Sequence, residues 1–151
     1  MFHRIAGIDV HKRMLAVVLA DVAADSEYQF ERRQVGTSPE QLRLLAEWLV
    51  EQAVEEVVME STAQYGKPVW QALEQYWKPA CEQWEGGGRL HLAQAKSNRG
   101  PRGRKTDFAD AERLVKRLVA QQLILSFVPD AEQRFVADSD APQAAVDWPP
   151  A

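Results

Sequence analysis

Cysteine is nearly absent from this chain: Cys81 stands alone in 151 residues. No intrachain disulfide can form, and the usage suits a reducing cytoplasm. No apolar run approaches the roughly 20 residues that a bilayer crossing needs. The start, Met1-Phe2-His3-Arg4, leads straight into a strand-like pattern and has none of the layout of a signal peptide. No Cys/His spacing of the kind zinc uses is present, and there is no internal repeat. What is there is a chain of one domain's length, 46% hydrophobic and 26% charged. That balance belongs to a soluble globular protein able to bury an ordinary core. A soluble, cytoplasmic protein with no membrane partner is expected.

There is no overall excess of positive charge, for the formal net charge is -4, which by itself argues against a nucleic-acid partner. Its distribution argues differently. Lys96, Arg99, Arg102, Arg104 and Lys105, followed by Arg113, Lys116 and Arg117, face only Asp107, Asp110 and Glu112 in the same stretch. Such a segment is a candidate phosphate-contact surface; it is equally readable as a solvated loop and helix face.

Hydrophobic periodicity predicts the elements. Ile5–Val10 is a short apolar run broken by one acid, followed by the polar break His11-Lys12-Arg13 and a second apolar run, Met14–Ala20, placed to form a hairpin. Tyr28–Val35 alternates imperfectly and predicts a third, more exposed strand. Ser38-Pro39-Glu40-Gln41 supplies an N-cap serine, a first-turn proline and a capping-box glutamine. Leu42, Leu45, Ala46, Leu49 and Ala53 then mark one helical face.

Glu55–Glu60 predicts a buried strand ending in an acid, and about Lys67–Trp77 a second helix with Pro68 in its first turn. Cys81–Gly88 is expected to be irregular, Leu90–Ala93 a fifth strand, and Gln94–Lys105 a basic loop. A third helix is expected from near Asp107, with Phe108, Ala111, Val115, Leu118 and Val119 along one side. Three strands in meander, then alternating helices and strands, predict an α/β fold: a mixed sheet with flanking helices, in RNase H-like order. The domain is expected over residues 1–130. Residues 131–151 are expected to form a tail, disordered or out of frame, since Lys and Arg vanish after Arg134.

Four carboxylates stand where a fold has little structural use for them. Asp9 interrupts the apolar first strand, where an unpaired charge is costly to bury. Glu60 ends the buried Val57-Val58-Met59 run. Asp107 and Asp110, three apart at a helix start, differ by about 60° in direction and project together. Crowded carboxylates repel one another, and a hard divalent cation relieves that repulsion. Mg²⁺ or Mn²⁺ is therefore expected, as in two-ion phosphodiester chemistry. A plainer reading stands beside each: the helix-start acids also complement the helix dipole, and Glu60 also suits an exposed strand end. His11 reads as a turn residue or a phosphate contact, His3 and His91 as structural, and Trp48, Trp70 and Trp77 as core.

Gly7-Ile8-Asp9-Val10-His11-Lys12, Met59-Glu60-Ser61-Thr62 and Gly103-Arg104-Lys105-Thr106-Asp107-Phe108-Ala109-Asp110-Ala111 resemble, in order and spacing, the DEDD transposases of the insertion-sequence one-ten family. The likeness runs through Leu125-Ser126-Phe127-Val128-Pro129 and covers roughly residues 4 to 134. It implies a RuvC-type domain whose four acids are Asp9, Glu60, Asp107 and Asp110, binding Mg²⁺ and acting on DNA in transposition. It also implies a structured bridge RNA as partner and a homo-oligomeric full-length protein. A C-terminal domain bearing a nucleophilic serine is implied as well; neither Ser61 nor Ser97 matches that serine, so a truncated transposase, inactive alone, is expected. Two other readings compete: a stand-alone RuvC-like nuclease, and a non-catalytic nucleic-acid-binding remnant of a decayed element. An actin-like ATPase fragment fails, because its phosphate loop needs glycine close behind the aspartate and here Val10-His11-Lys12 follows.

Overall fold

The computed structural model describes residues 3–22, 28–61, 65–82, 87–93, 107–126 and 128, apart from the side chain of Asp107. The basic loop and the tail expected after residue 130 lie outside the described residues. Strands β1 (His3–Val10), β2 (Met14–Val22) and β3 (Tyr28–Gly36) form an antiparallel meander. Helix α1 (Pro39–Glu51) returns the chain to β4 (Glu56–Ser61), which lies parallel to β1. Helices α2 (Gly66–Ala72) and α3 (Lys78–Cys81), joined by a π-helical segment over Leu73–Trp77, lead to β5 (Arg89–Ala93), parallel to β4. Helix α4 (Asp107–Val119) and a short antiparallel strand, β6 (Leu125–Ser126), follow. The sheet has six strands in the order β3-β2-β1-β4-β5-β6. No described helix is long and apolar enough to cross a membrane.

The two faces of β1 explain the layering, since successive side chains in a strand point to opposite sides. Ala6, Ile8 and Val10 join Leu15, Val17, Val57 and Met59 in the larger core, closed by Leu42, Leu45, Ala46 and Leu49 of α1 and by Val69, Trp70, Leu73 and Trp77. Ile5 faces the other way, onto Ala111 and Val115 of α4, and Val58 packs on Leu114. Because β1 and β2 are covered on both sides they are apolar nearly throughout, whereas Glu31–Gln34 on edge strand β3 is exposed.

The local signals act as expected at α1, where Ser38 Oγ accepts the Gln41 N–H at 3.3 Å and Pro39 opens the helix. Elsewhere the structure differs. Ala53 is not on the helical face: it follows the helix end, exposed, at φ 56°. The second helical stretch runs on to Cys81 rather than stopping at Trp77. Pro79 supplies no N–H to the carbonyl four residues back and crowds it. The wider π turn lies next to that position, and Trp77 Nε1 and Cys81 Sγ both point to the Val54 carbonyl, at 3.3 and 3.5 Å. On α4 the deepest residues are Ala111, Leu114 and Val115, while Val119 is exposed. Strand β6 has no counterpart among the expected elements, since two residues give no periodicity to read.

Candidate metal and nucleic-acid site

Asp9 and Glu60 occupy one rung of the parallel β1–β4 ladder. Residues so paired project to the same face, and this is the face that carries Ile5, Gly7 and Val58 beneath α4. Asp9 is buried, 7% exposed, and Glu60 is half-buried with Oε2 shielded from solvent. Both lie at the carboxyl ends of their strands, where open α/β sheets place their ligands.

Helix α4 crosses this face antiparallel to β1. Glu112 pairs with Arg32, which shares a rung with Val18 and Gly7, and Lys116 lies over Phe30, which shares a rung with Ala20 and Ile5. The helix start therefore points toward Asp9 and Glu60. Ala111 sits at Gly7. Asp107 opens the helix one turn earlier, about 6 Å along the axis, on the side of Gly7 toward the carboxyl end of β1. Asp110 lies in the same turn, its carboxylate mostly buried and its Oδ1 accepting from Arg113 NH1 at 2.7 Å.

The donor chemistry at this rung suits a hard divalent cation: neighbouring carboxylates, largely shielded, with no thiolate nearby. Among the described side chains no group of three or more His, Cys, Asp or Glu is arranged to hold an ion; the Asp107 side chain lies outside the described residues. So do Lys96, Arg99, Arg102, Arg104 and Lys105. Asp9, Glu60 and the α4 start thus come to one end of the sheet, and the basic segment is not placed.

Two relationships at the histidines have no signature in the hydrophobic pattern of the sequence. His11, expected to be a turn residue or a phosphate contact, has Nε2 3.0 Å from Asp9 Oδ2; the signal is its position two residues after the acid, just past the strand end. At the opposite end of the sheet Glu56, 7% exposed, is clasped by His91 Nε2 at 2.6 Å and His3 Nε2 at 3.1 Å, while His3 Nδ1 reaches Glu55 at 2.6 Å. Burial pushes the Glu56 carboxyl up, but hydrogen bonds from His91 and His3, with the charges of His91 and Arg89, outweigh it and hold the group below the ordinary glutamate value. His3 and His91 thus tie the start of β4 to its two neighbouring strands.

A mixed sheet of this order with flanking helices is an RNase H-like fold of the RuvC type. Thermus thermophilus RuvC has a similar fold, with a TM-score of 0.54, 14% identity, and 82% of this chain and 99% of that chain covered. T. thermophilus RuvC in complex with Holliday junction substrate gives a TM-score of 0.50 at 13% identity and the same coverage. The family model of the DEDD transposases of the IS110 type, described as Transposase, matches residues 6–137, and the chain belongs to that family. No curated protein matches. The expected fold is borne out, and the family places the chain among proteins that work on nucleic-acid phosphodiester bonds.

Proposed function

We propose that this domain is the acid-bearing, metal-dependent part of a DNA transposase, with Asp9, Glu60, Asp107 and Asp110 as the ligands of Mg²⁺ or Mn²⁺. The observation that carries the reading is the Asp9–Glu60 rung: two carboxylates side by side on neighbouring strands, one of them buried. Metal-free, that pairing costs electrostatic free energy, so a fold that keeps it has a use for it beyond packing. A bound divalent ion supplies charge neutralisation at a phosphodiester oxygen. The chain's own residues hold the carboxylates in a shielded place and set them against the start of α4.

In this reading DNA is the substrate, and Lys96, Arg99, Arg102, Arg104 and Lys105 contact its backbone or that of a structured guide RNA. The protein works in the cytoplasm as part of a homo-oligomer, completed by a serine-bearing domain. Support for the DNA partner comes from family membership and from the local basic run. The test is direct. Mn²⁺ binding to the chain, followed by electron paramagnetic resonance, should be present in the native protein and lost in Asp9→Asn and Glu60→Gln. DNA binding should weaken steeply with salt. Undiminished Mn²⁺ binding in both variants would sink the assignment.

A further inference from the structure

We propose that His11 is a positioning residue for Asp9: its Nε2–H holds one carboxylate oxygen so that the acid presents to a divalent ion in a preset orientation. This rests on the metal-site reading above and extends it to a residue that no carboxylate pattern would select.

The geometry comes from the backbone. His11 directly follows β1, and residues two apart along a strand share a face, so the imidazole emerges on the Asp9 side of the sheet. The turn that carries it is pinned: the His11 N–H donates to the Met14 carbonyl at 3.0 Å, and Thr37 Oγ1 donates to the Lys12 carbonyl at 3.4 Å. With the chain held there, the ring lies back over Asp9 and its Nε2 stands 3.0 Å from Oδ2. A carboxylate that binds a cation is ionised and only accepts, so in that state Nε2 is the donor of this hydrogen bond. Asp9 itself is buried, in surroundings where a hydrogen bond to a charged group is strong.

A carboxylate has a soft terminal torsion. Left to rotate, it loses orientational freedom on binding an ion; held by a hydrogen bond, it has lost that freedom already. Partners of this kind behind a metal ligand are worth about 10- to 100-fold in metal affinity. His11 is half-exposed, so its replacement is expected to leave the fold intact. The requirement is for an N–H at the reach of Nε2, which glutamine supplies and alanine does not.

The experiment measures Mn²⁺ affinity by electron paramagnetic resonance on the full chain, native and as Asp9→Asn, His11→Ala and His11→Gln. Thermal unfolding in EDTA checks that each variant is folded. The expected result is loss of binding in Asp9→Asn, about a 10-fold or greater weakening in His11→Ala, and recovery of most of the affinity in His11→Gln. Native affinity in His11→Ala, with Asp9→Asn still abolished, overturns the role of His11 and leaves the metal site standing. Equal weakness in His11→Gln and His11→Ala also overturns it, since the N–H is then not what matters. Undiminished binding in Asp9→Asn removes the metal-site reading and this inference together.

Discussion

Gly7 lies directly under Ala111. A β-carbon on the glycine would come within 2.5 Å of the Ala111 carbonyl oxygen and 2.8 Å of Val115 Cγ2. Helix α4 thus touches the sheet backbone to backbone, two residues before Asp9, and this contact sets the height and direction at which the helix start reaches the acidic rung.

Gly7→Ala should therefore destabilise the protein, because the nearest obstacle is main chain and cannot swing aside. Overpacking of this kind costs about 1–3 kcal/mol, read as a lowered urea midpoint. The variant should also lose Mn²⁺ affinity in excess of its stability loss, as α4 lifts from Asp9. A variant as stable as the native chain would show that α4 does not rest there.

Glu60→Gln should have opposite effects on stability and binding. Removing one of two like charges on a rung relieves about 0.2–1 kcal/mol of repulsion, so the metal-free protein should melt slightly higher. Its melting temperature should no longer respond to Mg²⁺, whereas the native protein is stabilised by any ion that binds only the folded state. Thermal scans with and without Mg²⁺ check both signs.

Glu56 should contribute to acid stability. Its carboxyl titrates below the ordinary value of 4.5 when folded, so the folded state binds its proton less readily than the unfolded chain. The stabilisation is complete above that value and is lost as pH falls through the lower folded value. Glu56→Gln should cost about 1–3 kcal/mol near neutrality, leaving His3, His91 and Arg89 without their shared carboxylate. The difference from the native protein should shrink in acid, as urea unfolding at a series of pH values would show.

Cys81 should be inert in the folded protein. It is wholly buried, and burial pushes its thiol up to about 11, so both access and thiolate are lacking. Alkylation at pH 8 should proceed at the rate of unfolding and accelerate with urea. Rapid modification in native buffer would contradict the placement of α3.

The strands and α1 were legible because their signals are local. Ile5–Val10 and Met14–Ala20 are apolar runs with a polar break, and Ser38-Pro39 caps a helix whatever follows it. The misread places are those where a distant neighbour decides. Ala53 fits helical spacing by arithmetic, yet the chain turns there so that Val54 can enter the core. Trp77 and Cys81 extend a helix past an expected stop because both reach one carbonyl, that of Val54. Val119 continues the α4 pattern but projects beyond the sheet into solvent, leaving Leu114 to do the packing.

The site divides in the same way. That Asp9 is out of place in an apolar strand is a matter of composition and desolvation, and the chain determines it by itself. That Asp9 shares a rung with Glu60, that α4 descends onto Gly7 with its start directed toward that rung, and that His11 reaches Asp9 were decided by tertiary structure. Strand register and helix height depend on which side chains fill the space between layers, and no stretch of sequence contains both sides of that space.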